Sequence, residues 1–320
     1  MAEGKNNIED SQSSRLDRKT CTRIALVSCS NGMAESFRPA FLRLLTILED
    51  AGLETVYGNH LFAGKENPAG QNARDRAEEL MEYYCDPSVD AVFDISGGDM
   101  ANEILPWLDY EAIKQKGQGK LLFGYSDLTC VLNAVYGKTG CACGLYQLRN
   151  LLHSQGREQL ESLLKLLKEE GRLWGRTSEA SQQLDWAQIR PLTDLKVHFL
   201  QGTFMEGVAV GGNIRCLLKL AGTPYLPDFS GKILILEGNS GGADKLTACL
   251  SQLSQMGVFE RINGILLGTF TEMERRGDGR KTKELVRSFA GTLPIAVTEE
   301  IGHGSGARCA VIGRTLKFEI

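Results

Sequence analysis

The stretch KLLFGYSDLTC, residues 120–130, decides the fold. It opens as an apolar run, Lys120-Leu121-Leu122-Phe123, and stops at Gly124. It then presents Tyr125, Ser126 and Asp127 just before a helix-like segment over 128–136. A short apolar run closed by glycine reads as a buried strand, and the periodic segment after it as the helix that follows. The same grammar recurs upstream. A strand is expected over 22–28, then the turn SNGMAES, then Phe37, Phe41, Leu44, Leu45 and Leu48 on one face of a helix ending near Gly52. Further strands over 54–61 and 91–95 alternate with helices over 72–84 and from the turn Ser96-Gly97-Gly98-Asp99 to about 105. Such alternation implies a parallel sheet covered on both faces. Ligands of these sheets sit outside the carboxyl ends of the strands. Both polar turns, 96–99 and 125–127, fall at that edge.

Downstream, residues 158–183 form a charged amphipathic helix and a polar stretch, which reads as a connector. A strand-like region over 196–210 follows, and Gly211-Gly212-Asn213 opens a helix through Leu220. The strand over 232–236 stops at Glu237-Gly238-Asn239, and a helix over 245–256, a strand over 264–267 and a last stretch over 316–320 complete a second α/β unit. There is no internal repeat. With 320 residues the chain exceeds one compact core, so two domains are expected. The divisions are a disordered tail over 1–20, an N-terminal α/β domain over 21–155, a connector over 156–195 and a smaller C-terminal α/β domain over 196–320. The N-terminal domain is a flavodoxin- or Rossmann-like parallel sheet with helices on both faces.

Composition narrows the function. Apolar residues make up 42% and charged residues 24%, as in ordinary globular proteins, and a net charge of -4 supplies no basic face for nucleic acid. Residues 1–20 have no apolar core and read as a solvated tail rather than a signal peptide, and no run reaches the ~18 apolar residues of a membrane span. Nine scattered cysteines, an odd count, fit buried thiols in a reducing compartment. Cys141-Ala-Cys143 lacks the second pair that zinc needs. A cytoplasmic protein without metal or cofactor is the expectation.

Three side chains carry potential chemistry. Ser126 is either an N-cap of the helix after it or a nucleophile on a sharp strand-to-helix turn, with the Asp127 backbone N–H helping to hold an oxyanion. Leu128 stands where G-x-S-x-G has its second glycine. His303 lies in Ile301-Gly302-His303-Gly304, where the glycines leave the imidazole approachable, as a general base or as a plain loop histidine. Glu237 ends an apolar strand, as a solvated tip or as the third member of a triad. Gly97 and Gly98 allow a backbone N–H close to a substrate oxygen, or a phosphate, though without G-x-G-x-x-G spacing. His60 and His198 alternate with apolar neighbours and read as packed or half-exposed strand residues. Trp174 and Trp186 in the connector either stack on a ligand or cover the domain interface.

Taken together, SGGDMANEILPWLDYEAI, GYSDLTCVLNAVYGKTG, GGNIRCLLKLAGTPY, ILILEG and the IGHG loop resemble the LD-carboxypeptidase family of serine peptidases, including its microcin-immunity-like branch. The resemblance runs in order from about residue 22 to the C-terminus. It implies a cytoplasmic, metal-independent serine peptidase of two α/β domains, commonly a homodimer. Its triad would be Ser126, Glu237 and His303, with Gly97 or Gly98 pairing with the Asp127 N–H as the oxyanion hole. The substrate it implies is a small peptide cut near its C-terminus, foremost at an L,D-bond of a cell-wall-derived muropeptide, with a peptidyl- or aminoacyl-nucleotide conjugate as the alternative. The cell-wall branch usually reads R-G-G-Y-G where this chain has Ser96-Gly97-Gly98-Asp99-Met100, a departure that leans toward the immunity-like branch. Outside this family, a non-catalytic small-ligand binding protein would use the same cleft. A nucleotide-dependent Rossmann enzyme would need glycine spacing that Cys29-Ser30-Asn31-Gly32 lacks.

Overall fold

The structure, a computed structural model, describes residues 22–64, 71–116, 120–169, 185 and 187–320. The N-terminal tail, the stretch 170–184, Trp174 and Trp186 lie outside the described residues.

Two six-stranded sheets are present. The first is built from β1 (Arg23–Val27), β2 (Glu54–Tyr57), β3 (Ala91–Asp94), β4 (Leu121–Gly124) and β5 (Cys143–Leu145), all parallel where they pair. Its helices are α1 (Arg38–Asp50), α2 (Ala73–Cys85), α3 (Tyr110–Lys116), α4 (Thr129–Thr139) and α5 (Gly156–Glu169). Strand alternation explains the layering, because successive side chains point to opposite faces. Ile24 and Leu26 of β1 join Phe41, Leu44 and Leu48 of α1 and Leu163 and Leu167 of α5 in one core. Ala25 and Val27 join Ala77 and Leu80 of α2 and Val131 and Leu132 of α4 in another. Within the first core, Phe93 and Phe123 stack across β3 and β4 at 4.4 Å between centroids.

The second sheet contains β6 (His198–Gln201), β7 (Phe204–Asn213), β8 (Lys232–Gly238), β9 (Gly264–Phe270), β10 (Ile295–Val297) and β12 (Thr315–Glu319) in the order β12-β7-β8-β9-β10-β6. Four central strands are parallel, while β12 and β6 are antiparallel edges. Its helices are α6 (Ile214–Leu218), α7 (Ala243–Gln255), α8 (Thr271–Arg275) and α9 (Gly279–Ala290). Leu246 and Leu250 of α7 and Val286 of α9 cover one face through Leu234, Leu236 and Ile265. The opposite face, through Ala209, Ile233 and Ile235, belongs to the same core as α4. The two halves therefore share apolar contact around α4.

One strand crosses the expected division at 196. β11 (Ala310–Ile312) leaves the second half and pairs antiparallel with β5 at the edge of the first sheet. Three residues with apolar character on all sides carry no period that would assign them to either sheet.

Candidate active site

β4 ends at Gly124, and Tyr125 continues extended at φ -146° and ψ 167°. Ser126 then takes φ 54°, the one positive φ outside glycine among the described residues. A short 3-10 turn, Ser126–Leu128, feeds α4. The chain needs Gly124 here, since a Cβ at that position would lie 2.7 Å from the Leu128 Cβ. Leu128, standing where the generic motif has glycine, packs over Gly124 and donates its N–H to the Tyr125 carbonyl at 3.0 Å. Neither the 3-10 turn nor α4 has a side-chain cap. A left-handed serine costs of order 1–3 kcal/mol and persists only where its surroundings enforce it.

The Asp127 carboxylate is fully buried and points away from capping work. It accepts from the Ser30 hydroxyl at 2.6 Å, from the Ala101 N–H at 2.8 Å and from the Lys219 ammonium. Its backbone N–H sits in the first turn, where a helix offers no internal partner.

Glu237, near the tip of β8, is fully buried rather than a solvated strand end. One oxygen lies 2.9 Å from His303 Nδ1, and the other accepts from Asn213 Nδ2 at 2.9 Å. Asn213 also caps α6, its Oδ1 accepting from the Cys216 N–H at 3.4 Å. With Nδ1 facing a carboxylate, the neutral imidazole carries its proton there and leaves a lone pair on Nε2. That Nε2 is buried and has no hydrogen-bond partner among the described residues. The imidazole is set by its loop: Gly302 has φ 151°, and a Cβ there would fall 1.7 Å from Thr269 Oγ1.

Glu237 and His303 are thus joined directly. Ser126 reaches them through its neighbour, because the Tyr125 ring packs edge-on against the imidazole with centroids 5.1 Å apart. No hydrogen bond links Ser126 to His303 among the described residues. The Tyr125 phenol is pushed well above its ordinary pKa by burial and then by the charge of Glu237, so it stays neutral.

Ser126 opens onto a cavity of about 390 Å³ that Gly98, Asn213, Arg215, Asn239 and Lys245 also line. Gly98 holds φ 133°, and a Cβ on it would meet the Asn31 side chain at 2.0 Å. Asn31 Oδ1 accepts from the Asp99 N–H at 2.8 Å, and Gly97 forms a bridge with Asn31. Beneath this turn lies Asp94, which accepts from the Cys29 N–H at 2.6 Å and from both the Ser96 N–H and hydroxyl at 2.8 Å. Burial outweighs those donors and lifts its pKa to about 6. Two cations close the other side. Arg215 pairs with the Asp99 carboxylate and donates to the Gly98 carbonyl at 3.3 Å, and Lys219 donates to the Asp99 carbonyl at 2.7 Å.

Sequence reasoning missed Asp94, Arg215 and Lys219, and read Asn213 only as the opening of a helix. The cap was legible; the second use of its amide, on a carboxylate 24 positions away, had no local signal. His198 is exposed in β6 and His60 half-buried. Among the described residues no group of three or more His, Cys, Asp or Glu is disposed to hold a metal ion, and no helix is long and apolar enough to cross a membrane.

Comparison with known proteins matches two family models in order. The LD-carboxypeptidase N-terminal domain matches residues 24–147 and the LD-carboxypeptidase C-terminal domain residues 206–318. A putative carboxypeptidase of Vibrio cholerae is 30% identical over 261 residues, covering 77% of each chain. The murein tetrapeptide carboxypeptidase of Pseudomonas aeruginosa is 27% identical over 308 residues, covering 93% of each. The microcin C7 self-immunity protein MccF of Escherichia coli is 26% identical over 293 residues, covering 86% of this chain and 83% of that one. A solved structure of MccF with glutamyl sulfamoyl guanosine shares the fold, with a TM-score of 0.76 at 22% identity over 93% of each chain.

Proposed function

The chain belongs to the LD-carboxypeptidase family, and from that premise we propose that it is a serine carboxypeptidase cutting an L,D-amide bond near the C-terminus of a muropeptide. The observation that carries this reading is the left-handed Ser126 at a strand-to-helix turn, open to a cavity beside a buried Glu237–His303 pair whose Nε2 is unpartnered.

In the mechanism, the Ser126 Oγ forms a bond to the scissile carbonyl carbon while His303 Nε2 takes the hydroxyl proton. Glu237 holds the Nδ1 proton and stabilises the imidazolium, and Asn213 fixes the carboxylate rotamer through its second oxygen. The oxyanion is received by the Asp127 N–H and an N–H of the Gly97-Gly98 pair. The C–N bond breaks as His303 returns its proton to the leaving amine, which departs as a free D-amino acid. Water then attacks the acyl group with His303 again as base, restoring the serine. Ser126 and His303 close to hydrogen-bond reach when substrate fills the cavity, a tightening common on going from a free to a liganded site. Arg215 and Lys245 supply positive charge for a substrate carboxylate. The protein acts in the cytoplasm as a homodimer on this reading, without metal or cofactor.

A second reading has its own support: the resemblance to MccF, and an Asp99–Arg215 pair where the cell-wall branch has tyrosine. The substrate would then be an aminoacyl- or peptidyl-nucleotide conjugate. Mass spectrometry of products from an L,D-linked tetrapeptide and an aminoacyl sulfamoyl adenylate separates the two. Ser126→Ala should lower kcat on the cleaved substrate about a million-fold. A variant retaining most of the turnover would remove the serine from the mechanism.

A further inference from the structure

We propose that Lys219 is a positioning residue for the oxyanion-holding turns, bracing the turn of Asp127 to the turn of Gly98 from the half of the chain that supplies Glu237 and His303. This rests on Ser126 as the nucleophile. The Lys219 Nζ donates to the Asp127 carboxylate and, at 2.7 Å, to the Asp99 carbonyl. One ammonium therefore ties together the two backbone segments whose N–H groups face the developing charge. Lys219 is not among the residues lining the cavity, so it acts through its neighbours rather than on substrate.

Its placement is fixed by α6. Asn213, the N-cap, holds Glu237; Arg215 holds Asp99 and the Gly98 carbonyl; Lys219, the C-cap, holds Asp127. All three anchors lie on one helix of five residues and its two caps. Both halves of the site are thereby set in register by the single segment 213–219. The Asp127 carboxylate is fully buried, and Ser30 and Ala101 give it only neutral donors. Without the ammonium this buried carboxylate loses the one cation hydrogen-bonded to it among the described residues, which leaves a polar group for water to reach. Loss of the ammonium also unties the 126–128 turn from the Asp99 carbonyl.

The test measures kcat and KM on the cleaved substrate, with active sites counted by fluorophosphonate titration of Ser126, for Lys219→Met, Lys219→Gln and Lys219→Arg. Counting sites removes any contribution from unfolded chain, and the glutamine variant decides the matter should the methionine one not fold. Expected are a loss of about 100-fold in kcat per titrated site for Met and Gln, the scale of one oxyanion donor, with KM within about threefold. Arginine, which keeps the charge, should recover at least about tenfold of that loss. A kcat per site within about threefold of the native chain in the Met or Gln variant overturns the proposal while leaving the nucleophile in place. A native chain that cleaves nothing and takes no label on Ser126 removes both.

Discussion

Ser126 holds a backbone angle that only glycine adopts without strain, and the chain pays for this with Gly124, Leu128 and a fully buried Asp127 around it. The serine, Glu237 and His303 were all singled out by the sequence because each ends an apolar run or sits among glycines. What the sequence hid was their support. Asp94 lay inside the strand-like AVFDI and carried no sign that its carboxylate would gather the Cys29 and Ser96 amides. Its pKa, lifted to about 6 by burial, makes a prediction with a definite sign. A carboxyl bound more tightly to its proton in the folded chain stabilises below about pH 4, and that stability is lost as pH rises through about 6. The difference is worth roughly 3 kcal/mol across this window. Chemical denaturation of the native chain and Asp94→Asn at several pH values should show the native curve falling relative to the variant by that amount between about pH 4 and pH 6.5. Parallel curves would contradict the assignment.

At the scale of elements, the long periodic segments were legible and the short ones were not. The helices now seen as α1, α2 and α4 and the strands β1, β3, β4 and β8 follow from runs with a clear period or a clear stop. β5, β10 and β11 have three residues each and give no period to read. The parallel first sheet gains an antiparallel edge in β11, and the sequence offered no pairing direction for β6 and β12, since direction is a property of the path of the chain rather than of the strand itself. The loop after β10 shows how an element end positions a side chain. Gly302 lies against Thr269 so closely that no Cβ fits, and the histidine follows it directly. Gly302→Ala should displace the imidazole and lower kcat by about 100-fold, the penalty of a misplacement near 1 Å. Thermal melting recorded beside the kinetics separates misplacement from unfolding, and a variant with unchanged kcat would show that the loop does not set the histidine.

Across the whole molecule, the first half presents Ser126 and Gly98 while the second presents Glu237 and His303, so the proposed site draws on both halves. Two features hold them: the shared core around α4, and the return of β11 to the edge of β5. Family membership rests on both halves, matched in order. The alternation of strands and helices made the two-unit architecture readable, but the meeting of Glu237 with His303, and of His303 with the Tyr125 ring beside Ser126, comes from tertiary packing that no local pattern encodes. On the proposed mechanism this arrangement activates the serine hydroxyl. Mass spectrometry of the proteolysed chain after fluorophosphonate treatment tests it most directly. An adduct is expected on the peptide carrying Ser126 in the native chain, with at least about a thousandfold slower labelling in His303→Ala. Labelling of Ser126 at an undiminished rate in that variant, or substrate cleavage by a native chain whose Ser126 never takes the label, would contradict it.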